Sequence, residues 1–210
     1  MPDLYLDTST NLAAVAPCLS RAGVTAVGRY YTHKNGSKLL LRHEAQTLIA
    51  NRIAIWTIFQ FLNDSPSWFT YVNGMKDATR ALECMRELGQ PPSTAIYFAV
   101  DFPADLDLYV TNNRPYFAAI HDLYHGGTNL PYLIGVCGDG LICKFLLEEG
   151  LVYCAWLSSS SSYPENWNFY QSNKWSLAQK SDALNVCDVP FDTNEVNPHR
   201  VIGQFDHLID

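Results

Sequence analysis

The sequence predicts an α/β protein that folds as a single TIM-like barrel, irregular, with about five β/α units followed by three strands. Apolar, β-branched segments alternate with amphipathic segments as far as residue 150, and this rhythm indicates a parallel sheet covered by helices. About three more strand segments follow, with little helix between them. About eight strands in one domain, residues 1–210, favour a closed barrel over an open sheet.

The strand that defines this pattern covers residues 95–102, which are apolar, β-branched and aromatic and include Asp101 near the end. Such a continuous hydrophobic run is typical of a parallel strand that is covered on both faces. Side chains alternate along a strand, so Tyr97, Ala99 and Asp101 share one face. Catalytic residues in parallel barrels lie at the carboxyl ends of the strands. Asp101 is therefore expected at that end of the barrel.

The remaining elements follow in chain order. Further strands are predicted at residues 4–7, 26–31, 53–60, 132–137, 151–157, 175–179 and 189–196, and 201–205 is expected to be one more extended segment. Apolar residues at helical spacing predict a helix after each of the first five strands. A loop with Asn35-Gly36 follows the second strand. No helix is predicted after the sixth, where a serine run at 158–162 leads into an aromatic loop.

The composition excludes several classes of function. The net charge is −7 and no run of Lys or Arg occurs, so no nucleic-acid partner is expected. No apolar run approaches the length of a membrane span, so no membrane partner is expected. No glycine-rich phosphate loop follows the first strand, and the sequence nominates no cofactor.

The cysteines predict free thiols. No CxxC pair occurs, and several cysteines lie in apolar segments, where a free thiol acts as a small hydrophobe. A reducing compartment is therefore favoured, while the even number leaves disulfides open. The six positions are Cys18, Cys84, Cys137, Cys143, Cys154 and Cys187.

Three carboxylates stand at predicted strand ends, namely Asp7, Asp101 and Asp192. In a barrel the first and eighth strands are neighbours and the fourth lies across the mouth, so all three could face one pocket. Cleavage of a glycosidic bond uses such carboxylates, one of them protonated. The alternatives are that Asp7 caps a helix beginning near Thr10 and that Asp192 orders a turn.

Other residues at or near strand ends are candidates for binding substrate: Arg29, Tyr31, Gln60, Tyr97, Trp156 and Gln179. Arg29 could equally form a structural ion pair, and Trp156 could equally pack in the core. His121 and His125 have the spacing of a two-histidine metal face, but no HExxH motif accompanies them, and no metal site is predicted.

Four segments in order resemble a known family: residues 4–11, 27–30, 96–102 and 155–157. The family is the glycoside-hydrolase-like domain of unknown function 1906, which is related to the family 25 glycoside hydrolases, the lysozymes that cleave peptidoglycan. The resemblance runs from about Leu4 to Asn194. It implies an irregular barrel of five β/α units and three further strands.

The resemblance also implies roles for the carboxylates. Asp7 matches the first-strand Asp, Asp101 the general acid, and Asp192 the Asp of an Asp-x-Asn motif, here Asp192-Thr193-Asn194. The lysozymes carry Asp-x-Glu on the fourth strand, where this chain has Ala99-Val100-Asp101. One carboxylate is missing, and the expected Glu is one methylene shorter.

Three functional readings follow. The first is a muramidase-like glycosidase acting on peptidoglycan, the second a glycan-binding barrel that cuts weakly or not at all, and the third a barrel enzyme acting on another glycan. The N-terminus shows no secretory signal. The chain is thus expected to be made in the cytoplasm and delivered by lysis or a secretion system, as a phage lysin or an antibacterial effector, with its immunity or delivery partner unknown.

Overall fold

The computed structural model describes residues 3–33, 38–127, 130–160, 163 and 165–210. The strands are β1 (Leu4–Asp7), β2 (Val24–Tyr31), β3 (Ala54–Phe59), β4 (Ala95–Ala99), β5 (Leu133–Gly138), β6 (Cys154–Leu157), β7 (Leu177–Val186) and β8 (Val189–Val196). The helices are α1 (Ala16–Arg21), α2 (Arg42–Ala50), α3 (Tyr71–Leu88), α4 (Leu106–Leu108), α5 (Arg114–His125), α6 (Gly140–Glu148) and α7 (Asn166–Gln171), with a 3-10 turn at Pro66–Trp68 and a π-helical turn at Tyr109–Asn113.

The strands close one barrel in chain order, which confirms the predicted TIM-like fold. Strands β1 to β7 run parallel to one another, whereas β8 is antiparallel to both β7 and β1. Several elements differ from the prediction. Strand β4 ends at Ala99, so Asp101 lies two residues beyond it, and the segment 201–205 forms a single bridge, at Phe205. The short helix α7 follows β6, and β7 continues to Val186 as one arm of a hairpin with β8.

The longer helices cover the outside of the barrel because each has one apolar face. Helix α3 shows the local signals clearly: the Thr70 side chain accepts a hydrogen bond from the Asn73 backbone N–H at its start, and Gly89 closes it with φ of 82°. An L-residue rarely adopts that φ, whereas glycine does so freely. Its buried face includes Ala78, Ala81 and Met85, as the helical spacing predicts.

The barrel interior is filled by aromatic side chains. Trp156 meets Trp56 edge-on at 5.8 Å and Tyr97 at 6.0 Å between ring centroids. The end of the chain closes the bottom of the barrel: the Tyr97 hydroxyl donates to the Ile202 carbonyl at 3.0 Å, and Phe205 pairs with Ile55. The interior is therefore a packed core, and the mouth of the barrel lies at the carboxyl ends of β1 to β7.

One cysteine prediction is wrong. Cys18 on α1 and Cys187 at the tip of the β7–β8 hairpin form a disulfide across a separation of 169 residues, whereas Cys84, Cys137, Cys143 and Cys154 are free thiols. Pairing over so long a distance depends on the closed fold, so the spacing of the cysteines along the chain does not reveal it. The bond ties the hairpin to the helix layer.

The predicted Asn35-Gly36 loop lies outside the described residues, as do the last two serines of the 158–162 run. Among the residues that the structure describes, no helix combines the length and the apolar character needed to cross a membrane.

Candidate active site

The register of β1 and β8 brings two of the predicted carboxylates together. Asp7, the last residue of β1, lies directly opposite Asp192 of β8 in the antiparallel pair, and residues in that relation project from the same face. Asp192 is the fourth residue of β8 rather than its last. It reaches the barrel mouth because β8 runs against the other strands, so its predicted position at a strand end is wrong.

Asp7 is 1% exposed and is held by three donors. Its Oδ2 accepts from the Asn194 amide at 2.8 Å and from the Gln179 amide at 3.5 Å, and its Oδ1 accepts from the Tyr30 hydroxyl at 3.1 Å. Gln179 also donates to Asp192 at 3.2 Å. Asp7 therefore orders the mouth and does not cap a helix; α1 begins later, after Val15.

Gly28 on β2 makes room for this arrangement. A Cβ at Gly28 would lie 2.8 Å from the Cβ of Asp7 and 2.7 Å from the Trp56 ring, both shorter than a van der Waals contact. Only glycine allows the Asp7 carboxylate and the Trp56 indole to share this part of the barrel.

Burial raises the pKa of Asp7 from its ordinary 3.8 to about 7, and the neighbouring charge of Asp192 raises it further, against the lowering effect of its hydrogen bonds. Burial also raises the pKa of Asp192. About half of the molecules therefore carry a proton on Asp7 near neutral pH. Perturbed carboxylates of this kind are concentrated at functional sites.

The raised pKa of Asp7 predicts that the protein loses stability as the pH rises from about 4 to about 7. The folded state binds the proton of Asp7 more tightly than the unfolded state does. The stability that this proton adds is therefore complete below pH 3.8 and is lost as the pH rises through about 7. Asp7→Asn should remove this component, because asparagine can accept from Asn194 and donate to the Tyr30 oxygen. Urea unfolding at a series of pH values compares the two slopes, and equal slopes would contradict the assignment.

Asp101 follows β4 at the same end of the barrel and is exposed to solvent. Its backbone N–H donates to the Asn63 carbonyl at 2.8 Å, which fixes it against the loop after β3. The charges of Asp7 and Asp101 both act on the thiol of Cys137, whose pKa is raised mainly by burial. Cys137 and its strand partner Ala99 therefore lie at the floor between the carboxylates.

A lysine that the sequence analysis missed completes the mouth. The Lys38 ammonium lies 4.4 Å from the centre of the Tyr30 ring and donates to the Gln60 side-chain oxygen. Burial lowers the pKa of Lys38, while the charge of Asp101 opposes that effect. Lys38 thus joins the Asp101 side of the mouth to the Tyr30–Asp7 side. A lone lysine beside a loop carries no sequence signal for such a position.

The six predicted substrate-binding residues fall in three places. Gln60 and Gln179 lie at the mouth, as expected. Tyr97 and Trp156 are 0% and 1% exposed inside the barrel. Trp156 Nε1 donates to Asn194 Oδ1 at 2.8 Å and so orients the amide that holds Asp7. These two side chains are core and positioning residues rather than a surface for a sugar.

Arg29 and Tyr31 face the helix layer, and their predicted contact with substrate is wrong. Alternation along β2 turns Gly28 and Tyr30 inward, so the residues between and after them point outward. Arg29 is fully buried in an ion pair with Glu44 of α2 at 2.8 Å, which is the structural alternative noted above. The Tyr31 hydroxyl donates to the Gln90 side chain at 2.9 Å.

Within the described ranges no group of three or more His, Cys, Asp or Glu side chains is arranged to hold a metal ion. His121 and His125 pack against each other at 5.3 Å between ring centroids, and His125 also contacts Tyr153.

An eight-stranded barrel with carboxylates at its mouth is the arrangement expected of a glycoside hydrolase-like protein. The chain belongs to the family described as Rv2525c-like, glycoside hydrolase-like domain, whose model matches residues 17–209. The matched range includes Asp101 and Asp192 and begins after Asp7. The predicted family resemblance is confirmed.

Known proteins are similar to this chain over most of its length. The uncharacterized protein FadG of Bacillus subtilis is 28% identical over 183 residues, which cover 81% of this chain and 32% of FadG. This chain therefore spans about a third of that relative's length.

Two solved structures resemble this one. The crystal structure of the Tat-secreted protein Rv2525c of Mycobacterium tuberculosis with L-tartrate has a TM-score of 0.78, with 22% identity over 95% of this chain and 97% of that one. The spore cortex lytic enzyme SleM of Clostridium perfringens has a TM-score of 0.57, with 14% identity over 94% of this chain and 66% of that one. Both structures share the barrel fold of this chain.

Proposed function

We propose that this chain is a glycoside hydrolase acting on bacterial cell-wall peptidoglycan, with a muramidase-like activity. The observation that carries the proposal is the meeting of Asp101, Asp7 and Asp192 around one mouth, with raised pKa values at Asp7 and Asp192. Membership of the glycoside hydrolase-like family and the fold shared with a spore cortex lytic enzyme support it.

In the proposed mechanism Asp101 is the general acid and base. It is the exposed carboxylate at the end of β4, so it can reach the glycosidic oxygen and give it a proton as the bond breaks. Positive charge then develops on the sugar ring, and the exposed carboxylate of Asp192 across the mouth stabilises it. Water completes the hydrolysis and returns a proton to Asp101.

Asp7 acts in this mechanism as a positioning residue. It is buried below the mouth, and the amide of Gln179 bridges it to Asp192. The proton that Asp7 carries near neutral pH limits the negative charge beside Asp192. Asp192 can then stay ionised without a second full charge facing it.

Digestion of purified peptidoglycan tests the proposal. Wild-type protein should release new reducing ends, and mass analysis of the soluble products identifies the bond that is cut. Heat-denatured protein is the control. An absence of new reducing ends from pH 4 to pH 9 would contradict the hydrolase.

A second reading, a glycan-binding barrel without effective hydrolysis, is favoured by one observation. The interior position two residues before Asp101 is Ala99, which is 8% exposed and lines the floor of the mouth. The lysozyme resemblance places a carboxylate there. This reading predicts that the protein sediments with cell walls while releasing no reducing ends.

A further inference from the structure

A second cleft, which we call the α7 cleft, opens beside the carboxylates between β7, the end of β6 and α7. It has a volume of about 420 Å3 and is lined by Ser158, Trp167, Tyr170, Gln179 and Lys180 among others. This volume lies within the range of small-molecule sites. Gln179 belongs to both places, because its amide also donates to Asp192 and Asp7. The α7 cleft therefore adjoins the candidate active site at Gln179.

One wall of the α7 cleft is a stack of aromatic rings. The outermost, Trp167, is 70% exposed and stacks on Tyr170 at 6.1 Å with an angle of 21° between the rings. Tyr170 stacks in turn on the buried Trp175 at 5.2 Å and 6°, and its hydroxyl donates to Glu195 at 2.8 Å. The base of the stack is fixed, so Trp167 presents a flat apolar face to solvent without having to be ordered by a ligand.

The other walls offer neutral polar groups. The Ser158 hydroxyl is buried and has no hydrogen-bond partner among the described residues. The Asn166 amide holds this segment by donating to the carbonyls of Ser158 and Ser160 at 3.1 and 2.7 Å. The Lys180 ammonium is paired with Glu195, so the charge of this lining residue is already neutralised. This hydroxyl, unpaired among the described residues and set in a ligand-sized cleft, is available to a polar group of a ligand.

We propose that the α7 cleft is a subsite for one uncharged, N-acetylated hexosamine ring of the glycan. The apolar face of the pyranose stacks on Trp167. The amide and hydroxyl groups of the sugar bond to Gln179 and Ser158, each of which both donates and accepts. This inference rests on the proposed function for the identity of the polymer. It adds the place where a ring adjoining the cleaved bond is held.

Binding of tri-N-acetylchitotriose, measured by titration calorimetry on the full chain, tests the subsite. Trp167→Ala should weaken binding about tenfold, the size expected for the loss of one aromatic stack. Trp167→Phe keeps an aromatic face and should retain most of the affinity. Tyr153→Ala is the matched control, because Tyr153 is a 61% exposed aromatic residue just before β6, at the other end of the barrel.

The outcomes separate the subsite from the hydrolase. Equal affinity in wild-type and Trp167→Ala protein, no binding by wild-type protein, or equally tight binding of charged trigalacturonate would each overturn the subsite. Binding that depends on Trp167 without release of reducing ends from peptidoglycan would support the subsite and refute the hydrolase. Hydrolysis of peptidoglycan by the Trp167→Ala protein with the wild-type KM would support the hydrolase and refute the subsite.

Discussion

Asp101→Asn is expected to reduce the release of reducing ends from peptidoglycan by about 10²- to 10⁴-fold, the usual contribution of a positioned general acid. Asparagine has nearly the same shape but no proton of suitable acidity to give to the glycosidic oxygen. Asp101 is exposed, and its structural contact is a backbone hydrogen bond to Asn63 that the substitution leaves in place. The free energy of unfolding should therefore stay within about 0.5 kcal/mol of wild type.

Asp105→Asn is the matched control for that experiment. Asp105 is an exposed carboxylate only four residues away, and its side chain accepts from the Leu108 backbone N–H at 2.9 Å as the cap of α4. Asparagine caps helices about as well as aspartate, so both stability and hydrolysis should be unchanged. Full activity in Asp101→Asn together with a loss in Asp105→Asn would move the general acid to Asp105.

Much of the fold could be predicted because each element carries its own local signal. Residues 95–100 form a continuous apolar run, and α3 has a capping threonine, an apolar face and a closing glycine. Helix α7 was missed because it is only six residues long and five of those residues are Asn, Trp, Phe or Tyr, none of which is a strong helix former. Tertiary packing of Phe169 and the hydrogen bonds of Asn166 stabilise it instead.

The site was predicted less completely, because it depends on strand direction. Asp7 and Asp101 follow parallel strands and could be placed at the mouth from sequence. Asp192 is there because β8 runs antiparallel, and Lys38 because its side chain contacts the Tyr30 ring and the Gln60 side chain. Whether Arg29 points into or out of the barrel depends on the phase of alternation along β2, which the sequence of a strand covered on both faces does not reveal.

Glu44→Ala is expected to destabilise the protein by about 3–5 kcal/mol, because it leaves the buried charge of Arg29 without a partner. The Glu44 carboxylate accepts from Arg29 Nε and Nη2 at 2.8 and 3.2 Å and from the side chain of Asn11 and the backbone of Leu12, both at 2.9 Å. Both charged side chains are 0% exposed. Since a domain is stable by only about 5–15 kcal/mol, this loss should be visible as a large drop in the urea midpoint.

The double variant Arg29→Met/Glu44→Leu keeps this prediction testable if the single variant does not fold. Replacing both charges by apolar side chains should recover most of the loss, since the cost arises from the unpaired charge. Glu83→Ala is the surface control: Glu83 is half exposed in its pair with Arg80, and its loss should cost no more than about 1 kcal/mol.

Arg29 also donates to the Thr8 carbonyl at 2.7 Å, next to Asp7. If the double variant folds but its loss of stability between about pH 4 and pH 7 is weaker than in wild type, the ion pair also holds Asp7 in its buried position.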